Sequence, residues 1–287
     1  MAGRDWLAAA RPRTLPAAIS PVAVGVAVSG ATATVSWWRA VLCLVVSLSI
    51  QIGANYANDY ADGVRGTDRE RVGPVRLVAA GLATPAAVRR AAFAAFGVGA
   101  AAGAVIALSR SPWLLVAGAA SIAAAWFYTA GRHPYGYAGL GEVFVFVFFG
   151  IVAVVGTVYA TSGRFPALAF LAAVPVGLIT VSLLVVNNLR DIPTDAMSGK
   201  RTLAVRIGAR ATRLLYAGLI VTAFALVAAI AAYRPVALLS LLAVVAAARP
   251  VRTVLGRAEG RELVSALSMT GGLQLLFGGL LAIGIAL

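Results

Sequence analysis

The chain has 287 residues, of which 61% are hydrophobic and 12% are charged, and its mean hydropathy is +0.92. This composition excludes an ordinary soluble globular protein and predicts an integral membrane protein. The net charge of +14 does not indicate nucleic-acid binding, because the arginines fall between apolar runs and form no basic stripe interleaved with aromatic residues.

Nine apolar segments approach the roughly 20 residues that a membrane-spanning helix needs. In chain order they lie near residues 14–34, 38–59, 86–108, 112–130, 139–161, 166–188, 212–232, 235–249 and 263–286. The eighth is short, and a tight turn separates it from the seventh. The sequence therefore predicts an all-α fold, a polytopic membrane helical bundle of about nine transmembrane helices that forms one domain over residues 1–287.

The distribution of basic residues predicts the orientation of this bundle. With the N-terminus in the cytoplasm, the N-terminal tail and the loops on that side hold 20 lysines and arginines, whereas the opposite side holds four. Basic residues concentrate in cytoplasmic loops of membrane proteins. We therefore expect a multi-pass protein with a cytoplasmic N-terminus.

The first polar cluster closes the second apolar segment and spans residues 55–68. It contains Asn55, Asn58, Asp59 and Asp62, followed by Asp68. Ionised groups at the edge of a membrane span are costly and are kept mainly for function. Because residues three and four apart share one helix face, we expect Asn55, Asp59 and Asp62 to form one polar stripe.

The second cluster closes the sixth segment and spans residues 187–201. Asn187, Asp191 and Asp195 recur at intervals of four, and Lys200, the only lysine in the chain, follows with Arg201. The two clusters, together with Glu70 just after the first, hold six of the ten acidic residues. Each is followed by a basic, glycine-bearing loop, which indicates a weak internal duplication into two four-helix halves plus one further helix.

Paired carboxylates one helical turn apart can share a hard cation such as Mg²⁺, whose shell is usually completed by water and substrate phosphates. Two such arms from opposite halves can hold a diphosphate between them, while nearby cations neutralise the remaining charge. These cations are Lys200, Arg201 and the group Arg65, Arg69, Arg71 and Arg76. One aspartate pair at a helix end is often only a solvated cap, but two matched pairs argue against that interpretation.

A third polar segment runs from Tyr128 to Glu142 and precedes the aromatic run of residues 143–149. Glu142 can serve as a helix N-terminal charge or can orient a hydroxyl group of a ring. His133 is the single histidine, so a multi-histidine metal site is excluded, and no Ser-His-Asp triad is indicated. The aromatic run can line a channel for a hydrocarbon chain or contact lipid.

With both clusters in view, the chain resembles the UbiA superfamily of intramembrane prenyltransferases over nearly its whole length. The first motif departs from the commoner form, because Gly66 occupies the third acidic position and Asp68 follows. This variant is similar to the 1,4-dihydroxy-2-naphthoate prenyltransferase branch of the family. The other segments that carry this similarity are Arg71–Arg76, Gly139–Phe146 and Asn187–Asp191.

The resemblance implies a Mg²⁺-dependent transfer of a polyprenyl group from a polyprenyl diphosphate to 1,4-dihydroxy-2-naphthoate, with loss of CO₂ and diphosphate, to give demethylmenaquinone. It also implies a bacterial plasma (inner) membrane protein embedded in the lipid bilayer, with its active-site loops in the cytoplasm.

The resemblance assigns roles to particular residues. Asp59, Asp62, Asp68, Asp191 and Asp195 would bind metal, and Asn58, Asn187, Arg65, Lys200 and Arg201 would bind diphosphate. Asp68, Tyr128 and Glu142 are the catalytic candidates for deprotonating the acceptor ring. The sequence leaves the oligomeric state and the prenyl chain length open.

Three alternatives remain at this stage. A related prenyltransferase would use another acceptor, such as 4-hydroxybenzoate, homogentisate or haem. A secondary transporter would also combine acidic residues with an internal repeat, although its acids would lie near the membrane midplane. A phosphatidyltransferase would share the Asp59–Gly63 segment but would need a later aspartate motif that this sequence lacks.

Overall fold

The computed structural model describes residues 3–66 and 76–287. Every regular element in these ranges is helical, which confirms the predicted all-α membrane bundle. The main helices in chain order are α1 (Gly3–Ala9), α2 (Pro16–Thr32), α3 (Trp37–Arg65), α4 (Pro85–Arg110), α5 (Trp113–Phe127), α6 (Gly141–Ser162), α7 (Ala167–Met197), α8 (Leu203–Ala231), α9 (Pro235–Leu255) and α10 (Gly260–Ala286).

Each of the nine predicted segments coincides with one of the helices α2 to α10. In the described ranges, seven helices are long and apolar enough to cross a membrane, and an eighth span is formed if α2 is joined to the preceding Gly3–Thr14 across a 53° bend. Helix α5 has only 15 residues. The exact count of nine transmembrane helices therefore stays a prediction.

Local chemistry explains where several helices begin and end. Helix α4 begins where the Thr84 side chain accepts a hydrogen bond from the Ala87 amide, with Pro85 in the first helical position. Helix α8 begins in the same way at Thr202, which accepts from Val205. Helix α3 ends at Gly66, whose φ of 72° is a left-handed conformation that favours glycine.

The main core lies among α2, α6, α7, α8, α9 and α10, where a single cluster of buried aliphatic side chains joins these helices. Helix α7 is the most enclosed candidate span, with 72% of its apolar window buried. Helices α3, α4 and α5 form a smaller cluster around Ala57, Ala92 and Phe96. A large space remains between this smaller group and helices α6 and α7.

The helix pairs α3–α4 and α7–α8 make the most extensive contacts of the bundle. These pairs occupy equivalent places in the predicted duplication, since they are the second and third helices of each half. The contacts agree with two related halves, and the duplication itself stays a prediction.

Candidate active site

A cavity of about 320 Å³ lies between helices α3, α4 and α5 on one side and α6 and α7 on the other. Its polar end lies where α3 and α7 end, and its opposite part is lined by aliphatic, aromatic and small residues. The polar end holds side chains from both predicted clusters, namely Asn58, Asp62, Asn187, Asp191, Asp195 and Lys200. The fold thus brings residues that are more than a hundred positions apart in the chain to one chamber.

Lys200 connects the two clusters directly. Its ammonium nitrogen lies 2.8 Å from Asp62 Oδ1 and 3.8 Å from Asp195 Oδ1. All three side chains are buried, with 8% of Lys200 exposed. A buried ammonium is stable only when its charge is balanced, so the two carboxylates from opposite halves hold it in place.

Asp62 has two further partners at the same end of the cavity. The Tyr137 hydroxyl donates to Asp62 Oδ1 over 2.5 Å, and Arg76 Nη2 lies 3.9 Å from Asp62 Oδ2. Burial raises the pKa of the Tyr137 hydroxyl far above its usual value, and the neighbouring Asp62 carboxylate raises it further. The phenol therefore stays protonated and remains a hydrogen-bond donor.

The second cluster is organised by Arg190. Its guanidinium donates to both carboxylate oxygens of Asp191, over 2.7 and 2.8 Å, and to Asn187 Oδ1 over 2.9 Å. A bidentate pair of this kind fixes the orientation of the carboxylate. Asp191 and Asn187 both line the cavity, whereas Arg190 is buried behind them.

Asp59 lies outside the cavity lining, unlike its neighbours Asn58 and Asp62. Its carboxylate accepts hydrogen bonds from the backbone amides of Leu77, over 2.8 Å, and Val78, over 3.1 Å. Only 1% of Asp59 is exposed. These contacts anchor the segment that carries Arg76, so Asp59 does not share the cavity-facing stripe that the helical spacing predicted.

Arg65 and Arg201 also lie outside the cavity lining. Arg65 donates to the carbonyl oxygens of Thr129, over 2.5 Å, and Gly131, over 2.6 Å. Arg201 is exposed, and its backbone amide donates to the Tyr137 carbonyl over 2.9 Å. Both residues thus hold the loop after α5 against the ends of α3 and α7.

The three catalytic candidates occupy different places. Tyr128 lines the cavity. Glu142 is buried behind it, where its Oε1 accepts a hydrogen bond of 3.1 Å from Asn188, and Asn188 lines the cavity. Glu142 Oε2 has no hydrogen-bond partner among the described residues. Asp68 falls outside the described residues.

The sequence profile of the UbiA prenyltransferase family matches residues 18–284. The chain belongs to this family. A 1,4-dihydroxy-2-naphthoate octaprenyltransferase of Mycobacterium tuberculosis is 49% identical over 267 residues, which cover 93% of this chain and 91% of the relative. An enzyme of the same name from Escherichia coli is 38% identical over 71% of this chain and 68% of the relative.

Solved structures of UbiA homologues share the fold. The homologue from Archaeoglobus fulgidus bound to GPP and Mg²⁺ has a TM-score of 0.63 at 16% identity, covering 96% of this chain and 99% of that one. The apo homologue from Aeropyrum pernix has a TM-score of 0.68 at 16% identity, covering 94% and 97%. UbiA membership removes the support for the transporter and phosphatidyltransferase alternatives.

The donor set of this UbiA site fits Mg²⁺. Three carboxylate side chains, Asp62, Asp191 and Asp195, and two amide side chains, Asn58 and Asn187, line one chamber. These are the ligands that Mg²⁺ prefers, with water and phosphate completing the shell. Within residues 3–66 and 76–287, no three acidic, histidine or cysteine side chains are grouped closely enough to hold a metal by themselves. The arrangement therefore suits an ion shared with a phosphate ligand.

Arg11 is a cavity residue that the sequence reasoning counted only as an orientation signal. It lies at the break between α1 and α2 in a left-handed conformation, with φ of 53°, and its side chain lines the cavity. Its Nη2 is buried and has no hydrogen-bond partner among the described residues. The Thr14 hydroxyl oxygen accepts hydrogen bonds from the side-chain amides of Gln51 and Asn55, each over 3.0 Å, and these bonds hold the break against α3. The proline-flanked stretch Pro12–Pro16 was the available sequence signal for a break here.

Proposed function

We propose that this UbiA protein transfers a polyprenyl group from a polyprenyl diphosphate to 1,4-dihydroxy-2-naphthoate. Diphosphate and CO₂ are released, and the product is demethylmenaquinol, the reduced form of demethylmenaquinone. The observation that carries the proposal is the meeting of the two carboxylate arms around Lys200 at the polar end of an otherwise apolar cavity. The name shared by the M. tuberculosis and E. coli relatives supports the choice of acceptor.

The polar end binds the diphosphate through opposite charges. Lys200 and Arg76 line this end and supply positive charge to the phosphate oxygens. Asp62, Asp191 and Asp195, with Asn58 and Asn187, would hold Mg²⁺ against the same diphosphate, and this ion would stabilise the negative charge of the leaving group. Asp59, Arg65 and Arg201 support this arrangement from outside the cavity through the backbone contacts described above.

The apolar part of the cavity houses the prenyl chain. Phe144, Phe148 and Val152 of α6 and Ile106 of α4 are among its lining residues. When the carbon–oxygen bond to the diphosphate breaks, an allylic cation forms, and water would consume it. Apolar walls keep water away from the cation, so that the acceptor ring is the nucleophile that reaches it.

A ring carbon of the acceptor then bonds to the prenyl cation, and the carboxylate leaves as CO₂. No oxidant is needed, because the electron pair of the broken carbon–carbon bond returns to the ring. Among the candidates for accepting the hydroxyl proton, Tyr128 lines the cavity, and Glu142 lies behind it and is linked to the cavity by Asn188. We propose that Glu142 and Asn188 together orient the ring hydroxyl, while Asp68 remains an untested candidate.

The test is an assay on membranes that contain the protein, with labelled prenyl diphosphate and a panel of aromatic acceptors. We expect Mg²⁺-dependent transfer to 1,4-dihydroxy-2-naphthoate with release of one CO₂ for each prenyl group transferred. Transfer to 4-hydroxybenzoate or homogentisate without transfer to the dihydroxynaphthoate would overturn the choice of acceptor. Absence of transfer to every acceptor tested would overturn the proposed reaction.

A further inference from the structure

Two glycines in the wall of the apolar cavity differ from the glycines at which the helices pack closely. Gly118 of α5 and Gly156 of α6 both line the cavity. A Cβ atom at either position would meet no atom within 4 Å. Any side chain placed there would therefore project into the open space of the cavity.

The packing glycines of the same bundle show the contrast. A Cβ at Gly25 would lie 2.7 Å from Thr157 Cβ, and a Cβ at Gly150 would lie 2.8 Å from the backbone of Gly177. Those glycines let two helices approach closely. No such neighbour accounts for Gly118 or Gly156, although glycine within a helix is less stable than alanine.

The two glycines lie at different depths from the same end of the cavity. Helix α5 runs into the loop of residues 128–140, and α6 leaves it, so both helices can be measured from the polar end. At 1.5 Å per α-helical residue, Gly118 lies about 14 Å along α5 from Phe127. Gly156 lies about 20 Å along α6 from Gly141, because the π-helical stretch Phe146–Val152 rises less per residue than an α-helix. A chain held at Lys200 and extending into the cavity passes the level of Gly118 before that of Gly156.

We infer that Gly118 and Gly156 set the length of prenyl chain that the cavity accepts, because they keep its apolar part open at two successive depths. This inference rests on the proposed function, since it assumes that the occupant is a prenyl diphosphate. On this inference, the space left by two missing side chains limits the length of the donor, and no contact with a single residue does so.

The test replaces each glycine with leucine and compares donors of increasing length, from geranyl and farnesyl to geranylgeranyl and octaprenyl diphosphate. The quantity measured is the ratio of kcat/KM for the longest donor to kcat/KM for geranyl diphosphate. Because leucine would occupy space that the chain of the longest donor needs, we expect this ratio to fall by at least about 5-fold in both variants. Gly118 lies nearer the diphosphate than Gly156 does. Gly118→Leu should therefore begin to exclude donors at a shorter chain length than Gly156→Leu.

Gly97→Leu and Gly218→Leu are the matched controls. These glycines also have nothing within 4 Å of an added Cβ, but they are exposed on the outside of the bundle and do not line the cavity. We expect the donor ratio of both controls to equal that of the unaltered protein. An unchanged ratio in both cavity variants would overturn the inference, since the chain would then leave the cavity before reaching either glycine. An equal fall in the controls would also overturn it.

A binding measurement separates this inference from the proposed function. Affinities of unreactive prenyl thiodiphosphates of the same lengths need no acceptor. If the unaltered protein fails to prenylate dihydroxynaphthoate, the acceptor assignment fails, yet the length dependence of binding still decides the role of the glycines. If a leucine variant does not purify as a folded protein, the smaller changes Gly118→Val and Gly156→Val should shift the length preference in the same direction.

Discussion

Among the residues that the structure describes, Lys200, Arg76 and Tyr137 are polar partners of Asp62 at one end of the cavity. Lys200 and Arg76 bring positive charge to it, and Tyr137 brings a neutral hydroxyl donor. Because the carboxylate also lines the cavity, it can exchange some of these contacts for a metal ion and a diphosphate when they bind. The charge of this one side chain therefore organises the polar end of the cavity.

Replacing Asp62 by asparagine keeps the shape of the side chain and removes its charge. Loss of one partner of a buried charged pair costs about 2–5 kcal/mol, so we expect Asp62→Asn to lower prenyl transfer by at least about 30-fold. Glu259→Gln, at an exposed position, is the control and should be fully active. Near-normal turnover of Asp62→Asn in a membrane assay would contradict the role given to this carboxylate.

Lys200 lies in a space suited to a compact cation. Its ammonium sits 4.6 Å from the centre of the Tyr137 ring as well as against Asp62. Arginine carries the same charge on a larger, planar group, so we expect Lys200→Arg to lower kcat/KM for the prenyl diphosphate by about 10-fold. Full activity of this variant would mean that only the charge matters at this position.

Tyr137 gives a prediction about pH. The raised pKa of its buried hydroxyl means that the hydrogen bond to Asp62 is present below the ordinary tyrosine pKa of about 10 and is lost only as the pH rises beyond it. We expect Tyr137→Phe to lower transfer while leaving the shape of the rate profile between pH 6 and pH 9 unchanged. A descending limb in that range that disappears in Tyr137→Phe would show that this tyrosine ionises there.

At the scale of the helices, apolar periodicity and length predicted all nine helical segments, because a membrane span is recognised from composition alone. The helix ends were less accurate. Helices α3 and α7 continue to Arg65 and Met197, beyond the apolar segments that ended near 59 and 188. Their polar last turns remain helical because they face a shared polar chamber, and this partner is a tertiary feature that a single segment does not reveal.

The orientation of Asp59 shows the same limit. Helical spacing gave it a place beside Asn55 and Asp62, but the backbone amides of Leu77 and Val78 fold back onto it. Spacing predicts which residues can share a face and does not predict which neighbour will cover them. The convergence of Asp62, Asp195 and Lys200, in contrast, followed the predicted pairing of the two clusters.

The close contact between α6 and α7 can be tested through Gly150. An added Cβ would lie 2.8 Å from the Gly177 backbone, so one helix would have to move. We expect Gly150→Ala to destabilise the protein in detergent by about 1–3 kcal/mol, seen as a lower midpoint of thermal unfolding. Gly218→Ala, which has open space around it, should leave the midpoint unchanged or raise it slightly. Equal midpoints for the two variants would contradict this packing.

At the scale of the whole molecule, the bundle joins a well-packed group of helices to a looser one, and the cavity lies between them. The cavity therefore combines a polar end, where α3 and α7 end, with an apolar part between the helices. The sequence could predict that the two halves face each other, but the volume and walls of the cavity depend on helix positions that spacing does not determine.

The excess of basic residues on one side predicts that this polar end faces the cytoplasm. In a protein with Cys43 changed to serine, Ser198→Cys would place a thiol at the exposed polar end and Thr34→Cys would place one at the opposite end. We expect a membrane-impermeant maleimide to label Thr34→Cys in intact spheroplasts and Ser198→Cys only after permeabilisation. The reverse labelling pattern would contradict this orientation.

The central claim is that carboxylates from the two halves grip one diphosphate together. Its most direct test is the affinity of an unreactive prenyl thiodiphosphate, measured with Mg²⁺ for Asp62→Asn, Asp195→Asn and the double variant. We predict that each single change weakens binding by at least about 10-fold, and that the double change weakens it by less than the product of the two, because both arms act on one ligand. Affinity equal to that of the unaltered protein in either single variant, or fully multiplicative losses, would contradict the claim.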